Sequence, residues 1–282
     1  PAEEHVTGRP VELAEPVFRL YQDLLRRRTG FVLADSQRTR LESRLGAEAR
    51  SAGSFYQLYG RLRNEPAGST LFGRLLDAAV NGETYFFRDP SSLRAFAEEI
   101  APERLLAAGQ EGALDVWSAG CATGEEAYSL SIVLHERGLL PGRRVRILGT
   151  DLSPSHVRRA RAAIYGPQAL RATSAERRRE HFESAEGGLF RLKPNLVAPV
   201  LFEARSLLDE PAGGPSFDVI GGTSLRCPDA TRLRAPSTGM GTDERRRRRQ
   251  IPAGADVHPG ERSCGMWTEA RQESTMGTVG QE

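Results

Sequence analysis

The run Asp115-Val-Trp-Ser-Ala-Gly-Cys-Ala-Thr-Gly-Glu-Glu-Ala-Tyr128 reads as the end of a strand, a turn of small residues and the start of a helix. Such a turn lets the backbone approach a ligand closely, and the free amides and positive end of the helix suit a carboxylate or phosphate. The same residues also make a tight turn with no ligand. Around this run the pattern alternates, with strands expected at Leu114 to Trp117, Val145 to Gly149 and Phe217 to Ile220. Helices are expected between them, at Glu125 to Arg137 and Pro154 to Ile164, which predicts a parallel, helix-covered sheet. Asp151 closes the second strand, the position where a doubly wound sheet accepts hydrogen bonds from ribose hydroxyls. A helix cap is its competing reading, but Ser153 is better placed for that task.

Upstream, Val17, Leu20, Tyr21, Leu24 and Leu25 fall on one helical stripe, and Gly30 ends it. Asp35 or Ser36 is expected to cap a second helix carrying Leu41 and Leu45, and Ser54 and Ser69 are expected to cap two more. A small helical bundle over 15–90 follows, with a further helix around Ser91 to Ala108. Leu189 to Leu192 and Val197 to Phe202 look like extra strands around Pro194 and Asn195, forming an antiparallel flap inserted at about 185–205 in a sheet domain over 91–220. The segment 221–282 differs. Its large aliphatic or aromatic side chains are Leu225, Leu233, Ile251, Val257, Trp267 and Val279, too few for a core, so it is expected to be a disordered tail.

Bulk properties exclude several classes of function. A net charge of +2, from 39 basic and 37 acidic residues, does not call for nucleic acid or an anionic membrane. The run Arg245 to Arg249 has no interleaved aromatics, so no nucleic-acid partner is expected. Cys121, Cys227 and Cys264 lack metal-ligand spacing, and no apolar stretch suits a signal or a membrane span. A cytoplasmic location without membrane insertion is the expectation. Lys193 is the lone lysine among many arginines, a bias that GC-rich coding DNA explains.

Three stretches in order, Asn81-Gly-Glu-Thr-Tyr-Phe-Phe-Arg-Asp-Pro90, Trp117-Ser-Ala-Gly-Cys-Ala-Thr-Gly-Glu-Glu126 and Gly149-Thr-Asp-Leu-Ser153, resemble the chemotaxis receptor glutamate O-methyltransferases over about residues 15–220. The resemblance implies an α/β fold: an amino-terminal helical bundle, then a Rossmann-like S-adenosylmethionine methyltransferase sheet domain with a small antiparallel insertion. It implies S-adenosylmethionine as cofactor and the cytoplasmic helices of methyl-accepting chemoreceptors as partner. Thr84, Arg88, Gly120, Glu125 and Asp151 match its cofactor contacts, and Arg104 its catalytic arginine by spacing alone. The Arg88 guanidinium suits the cofactor's carboxylate through a charge-assisted bond. Phe86 and Phe87 read as packing between domains. Arg38, Arg40 and Arg44 are expected either to steer toward an acidic receptor or to form a solvated face.

The resemblance also marks departures. The family's asparagine-leucine pair after the flap is Ser206-Leu207 here. Beyond Ile220 the family supplies adenine contacts and an active-site tyrosine, where this chain reads Gly221-Gly-Thr-Ser-Leu-Arg-Cys-Pro228. A reading-frame shift near Ile220 accounts for the change, and a natural tail is the alternative. The sheet is therefore expected to be incomplete, with no later segment pairing beside its last strand. Activity is in doubt, and a catalytically dead module that binds cofactor or receptor is the competing function.

Overall fold

The computed structural model describes residues 11–66, 68–109, 112–140, 144–207, 217–221 and 268–269. They fall into two compact units, one formed by the chain to Glu83 with Leu152–His156 and a segment from Ala204, the other by the remainder.

The first unit holds α1 (Glu15–Thr29), α2 (Arg38–Ala52), α3 (Phe55–Asn64) and α4 (Thr70–Ala79). Its core gathers Phe18, Tyr21, Leu25, Leu41, Leu58 and Phe72. The buried stripe of α1 is centred on Phe18 and Tyr21, while Val17 and Leu20 sit at its half-buried margin. Gly30 ends α1 in the left-handed region at φ 72°. Ser54 and Ser69 cap α3 and α4, accepting from the amides of Gln57 and Phe72 at 3.1 Å each. Asp35 and Ser36 do not cap α2. A short 3₁₀ turn over Asp35–Gln37 leads into it, and the Gln37 side chain accepts from the Ala34 amide at 2.8 Å instead.

Three arginines of α2, Arg38, Arg40 and Arg44, donate to backbone carbonyls, Arg44 from an exposed position. Arg40 and Arg44 donate to the carbonyls of Ala79 (2.5 Å) and Asp77 (2.9 Å), and Arg38 donates to the Leu13 carbonyl. The last carbonyls of a helix lack intrahelical donors and lie at its negative end, so guanidinium groups are well matched to them. These side chains therefore close the end of α4, a task neither of their expected roles included.

The second unit begins with α5 (Pro90–Ala95), a π-helical turn (Phe96–Ile100) and α6 (Ala101–Ala108), one run matching the helix expected around Ser91 to Ala108. Next come β1 (Ala113–Ala119), α7 (Glu125–Glu136), β2 (Arg144–Asp151) and α8 (Pro154–Ala162), which Ala163, at φ +50°, ends. Then follow β3 (Ile164–Tyr165), α9 (Ala175–His181), β4 (Phe182–Ala185), β5 (Leu189–Leu192), α10 (Pro194–Val197), β6 (Val200–Ala204), β7 (Val219–Gly221) and β8 (Thr268–Glu269). The main sheet runs β6-β2-β1-β7-β8, with β1 parallel to both β2 and β7. No helix among the described residues is long and apolar enough to cross a membrane.

Two expectations are corrected here. The strand expected over Val197 to Phe202 forms as β6 but joins the main sheet beside β2, where the Ile147 amide meets the Pro199 carbonyl at 2.8 Å. The small antiparallel sheet is β3-β5-β4, whose strands span Ile164 to Leu192. Pro194 explains the difference. It starts the short helix α10, which separates β5 from β6 and prevents a hairpin. Secondly, a later segment does pair beside β7: Ile220 faces Thr268 and Val219 faces Glu269, antiparallel. So short a ladder is carried by backbone groups and needs no apolar run. The rest of the expected tail, 222–267 and 270–282, lies outside the described residues.

Candidate functional site

The site is assembled at the carboxyl ends of β1 and β2, the crevice where open α/β sheets take ligands. Below it, Leu114, Val116, Ile147 and Val219 are buried in the unit's core. Trp117 Nε1 donates to Thr150 Oγ1 at 2.8 Å, locking the two strand ends together. The amides of Gly120 (φ 72°) and Cys121 both donate to the Thr150 carbonyl, at 2.8 and 2.9 Å, so the chain turns across the end of β2.

Asp151 is the hub of the turn. Its Oδ2 accepts the Ala122 amide at 2.9 Å, and Ala122 itself sits at φ +47°. Thr123 Oγ1 donates to Glu125 Oε2 at 2.7 Å, and Tyr165 OH donates to the Thr123 carbonyl at 2.9 Å. Glu125, at 3% exposed, and Asp151, at 9%, are two sheltered carboxylates, one opening α7 and one closing β2. Two glycines are required sterically. A Cβ at Gly124, which has φ +94°, would lie 2.8 Å from Ala160 Cβ and 2.9 Å from the Phe202 ring, and one at Gly149 would lie 2.5 Å from that same ring. Phe202 of β6 thus fills the space behind the turn. Burial, reinforced by the charges of Asp151 and Glu126, pushes the Cys121 thiol well up, so it stays protonated there.

Thr84 and Arg88 line a pocket together with Tyr85, Asp89, Glu126 and Ser129. Phe86 and Phe87 are buried, and Phe86 meets Tyr165 and Phe182 edge to face at 4.9 and 5.1 Å, so this pair packs within the second unit's core. Asp89 caps α5, accepting the Ser92 amide at 3.1 Å. Burial works to raise its carboxyl pKa, but hydrogen bonds from Ser92 and Ser91 outweigh it and hold the group below the usual range. Ser129 ties the pocket to the turn. Its Oγ donates to the Glu125 carbonyl at 2.6 Å and accepts the Phe87 amide at 3.0 Å. Glu126 accepts from Ser118 Oγ at 2.7 Å.

The second unit therefore carries Thr84, Arg88, Gly120, Glu125 and Asp151. Arg104 lies half-buried on α6 and is not among the residues lining the Arg88 pocket. Ser206 and Leu207 belong to the first unit, where Ser206 Oγ donates to the Thr29 carbonyl at 2.9 Å. Glu126 and Ser129 were not singled out from sequence. Spacing places Ser129 one helical turn after Glu125, but nothing local names the Phe87 amide as its partner.

The donor set fits the cofactor that the sequence implies. Sheltered carboxylates suit hydroxyl and ammonium donors, and the Arg88 guanidinium suits a carboxylate. The family model described as "CheR methyltransferase, SAM binding domain" matches residues 82–223. The Chemotaxis protein methyltransferase of Vibrio parahaemolyticus is 32% identical over 218 residues, covering 74% of this chain and 77% of that protein. Chemotaxis protein methyltransferase 1 of Pseudomonas aeruginosa is 32% identical over 211 residues, covering 72% and 76%. The Chemotaxis protein methyltransferase of Salmonella typhimurium is 29% identical over 214 residues, covering 74% and 72%.

Proposed function

This chain belongs to the CheR methyltransferase family, a family of S-adenosylmethionine-dependent methyltransferases of chemotaxis, and from that premise we propose that its substrates are glutamate side chains on chemoreceptor cytoplasmic helices. The observation that carries this reading is the two sheltered carboxylates at the strand ends, Glu125 opening α7 and Asp151 closing β2 while holding the turn after β1. When bound, S-adenosylmethionine supplies an electrophilic sulfonium methyl group. Asp151 accepts hydrogen bonds from the ribose hydroxyls, Glu125 is the second acidic ligand, and Thr84 and Arg88 hold the methionyl end. Gly120 keeps the turn open to the ligand, and Arg104 is the catalytic arginine.

The acceptor glutamate is ionised at neutral pH and is already a nucleophile. The chain's task is then to hold the two reactants in line and exclude water, not to abstract a proton. Transfer of labelled methyl to receptor cytoplasmic fragments tests the reading, and the absence of any labelled glutamate ester in the presence of bound cofactor would refute it.

A second reading, a module that binds cofactor or receptor without turnover, is favoured by the family match ending at residue 223, just where the composition changes. On the frame-shift account, a chimera carrying a family carboxyl end after Ile220 gains soluble yield and methyl transfer over the present chain. Equal turnover by the two would show that the replaced segment is dispensable.

A further inference from the structure

Arg177, on α9, is fastened on two sides. Its Nε and Nη2 donate to the two oxygens of Glu136, at the end of α7, at 2.8 Å each. Glu136 Oε1 also meets His181 Nε2 at 3.0 Å, and His181 is 1% exposed. Burial tends to raise the Glu136 carboxyl pKa, but the bonds from His181 and Arg177 prevail and hold it down. The guanidinium so fixed lies 4.3 Å from the centroid of the Phe87 ring. A bidentate partner leaves a guanidinium little freedom, so its place on the ring is set by Glu136.

Phe87 is an unusual residue to find held this way. Its φ is +57°, in the left-handed region that side chains with a Cβ rarely adopt, and such a conformation persists only where the surroundings impose it. Ser129 Oγ fixes its amide and the Arg177 guanidinium covers its ring. The φ and ψ of Phe87 set the direction in which the next residue leaves the chain, and that residue is Arg88, which lines the pocket with Thr84 and Glu126. Were Phe87 to relax to an ordinary backbone conformation, Arg88 would turn out of that pocket.

We propose that Arg177 and Glu136 are positioning residues for cofactor binding, acting through the strained Phe87 to aim Arg88. The inference rests on the reading of Arg88 as the partner of the cofactor's carboxylate. It assigns part of the cofactor's affinity to a clamp that does not line the Arg88 pocket.

A double-mutant cycle on the full chain tests it, with S-adenosylmethionine affinity read by calorimetry and thermal stability beside it. Arg177→Met is expected to weaken binding by roughly 5- to 10-fold, and Glu136→Gln to do the same in part. In an Arg88→Ala background, Arg177→Met should weaken binding by less than about 2-fold, because the residue through which it acts is gone. Arg177→Lys, which keeps a cation on the ring but loses the fork, should fall between, and it runs the same cycle should Arg177→Met fail to fold. Equal losses in both backgrounds, or no loss in either, overturn the inference. Arg88→Ala with unchanged affinity would instead remove the reading beneath it. A loss from Arg88→Ala with Arg177→Met neutral sinks the clamp alone.

Discussion

The amide of Ala122 donates to Oδ2 of Asp151 at 2.9 Å, so the carboxylate that ends β2 also holds the turn that follows β1. One side chain thus joins the end of β2 to the turn at which the proposed cofactor's ribose is held. Asp151→Ala is expected to weaken S-adenosylmethionine binding by about 1 to 3 kcal/mol and to lower the melting temperature as well. Asp151→Asn keeps an acceptor for Ala122, so it should retain most of the thermal stability while still losing affinity. Arg88 is exposed, and Arg88→Ala should lose affinity with a smaller fall in melting temperature than Asp151→Ala. Calorimetry beside thermal melts checks all three, and unchanged affinity in every variant would remove the site.

Gly124→Ala meets two obstacles, a φ of +94° and the Ala160 Cβ and Phe202 ring within 2.9 Å of the new methyl group. The turn cannot yield without moving α8 or β6. A destabilisation of about 2 kcal/mol or more is expected from the strain and overpacking together. Chemical denaturation of the purified variant gives the value, and a change under about 0.5 kcal/mol would show that the turn is softer than drawn.

Asp89 caps α5 beside the Arg88 pocket, and Asp89→Ala is expected to cost about 1 kcal/mol at pH 7. The hydrogen bonds from Ser92 and Ser91 hold its carboxyl below the usual range against the opposing effect of burial. A group whose folded pKa is depressed gives stability that is present above its unfolded pKa, about 3.9, and is lost as pH falls through the folded value. The gap between the parent chain and Asp89→Ala should therefore stay constant from about pH 7 to 5 and close below about pH 4. Urea midpoints across that range decide it, and a gap that widens on acidification has the wrong sign.

Cys121 is 2% exposed and its thiol is pushed up by burial and by the charges of Asp151 and Glu126. A raised pKa leaves little thiolate at pH 8, and the thiolate is the reactive form. Alkylation of Cys121 in the native chain should be slower than in denaturant by at least about tenfold, read by peptide mass mapping. Fast native labelling at this position would mean that the turn opens readily.

Much of the site was legible because its signals are local. The strand, turn and helix from Asp115 to Tyr128, the acidic residue ending β2 and the serine caps all depend on residues within a few positions of one another. What failed was partner choice. The alternation at Val197 to Phe202 announces a strand, yet nothing local says whether it joins the flap or the main sheet, and Pro194 decided it by starting a helix. Arg40 and Arg44 read either as a steering patch or as a solvated face, and neither reading names their carbonyl partners, which lie 39 and 33 residues away in α4. The role of Ser129 was hidden similarly, since the amide it accepts belongs to Phe87, 42 residues upstream.

The first unit is not one stretch of chain. Leu152–His156 and the segment from Ala204 belong to it, and Leu152 packs against the core that Phe18 and Tyr21 begin. Ser153 hydrogen-bonds Asp77, and Ser206 reaches back to Thr29, 177 residues earlier. During synthesis the four leading helices thus leave the ribosome long before the pieces that complete their unit. Contacts so distant in sequence slow folding, since the loop between them must close before they are gained. A nascent chain halted before Ala204 is then an unfinished object in both halves at once, lacking the closing segment of the first unit and β7 of the second.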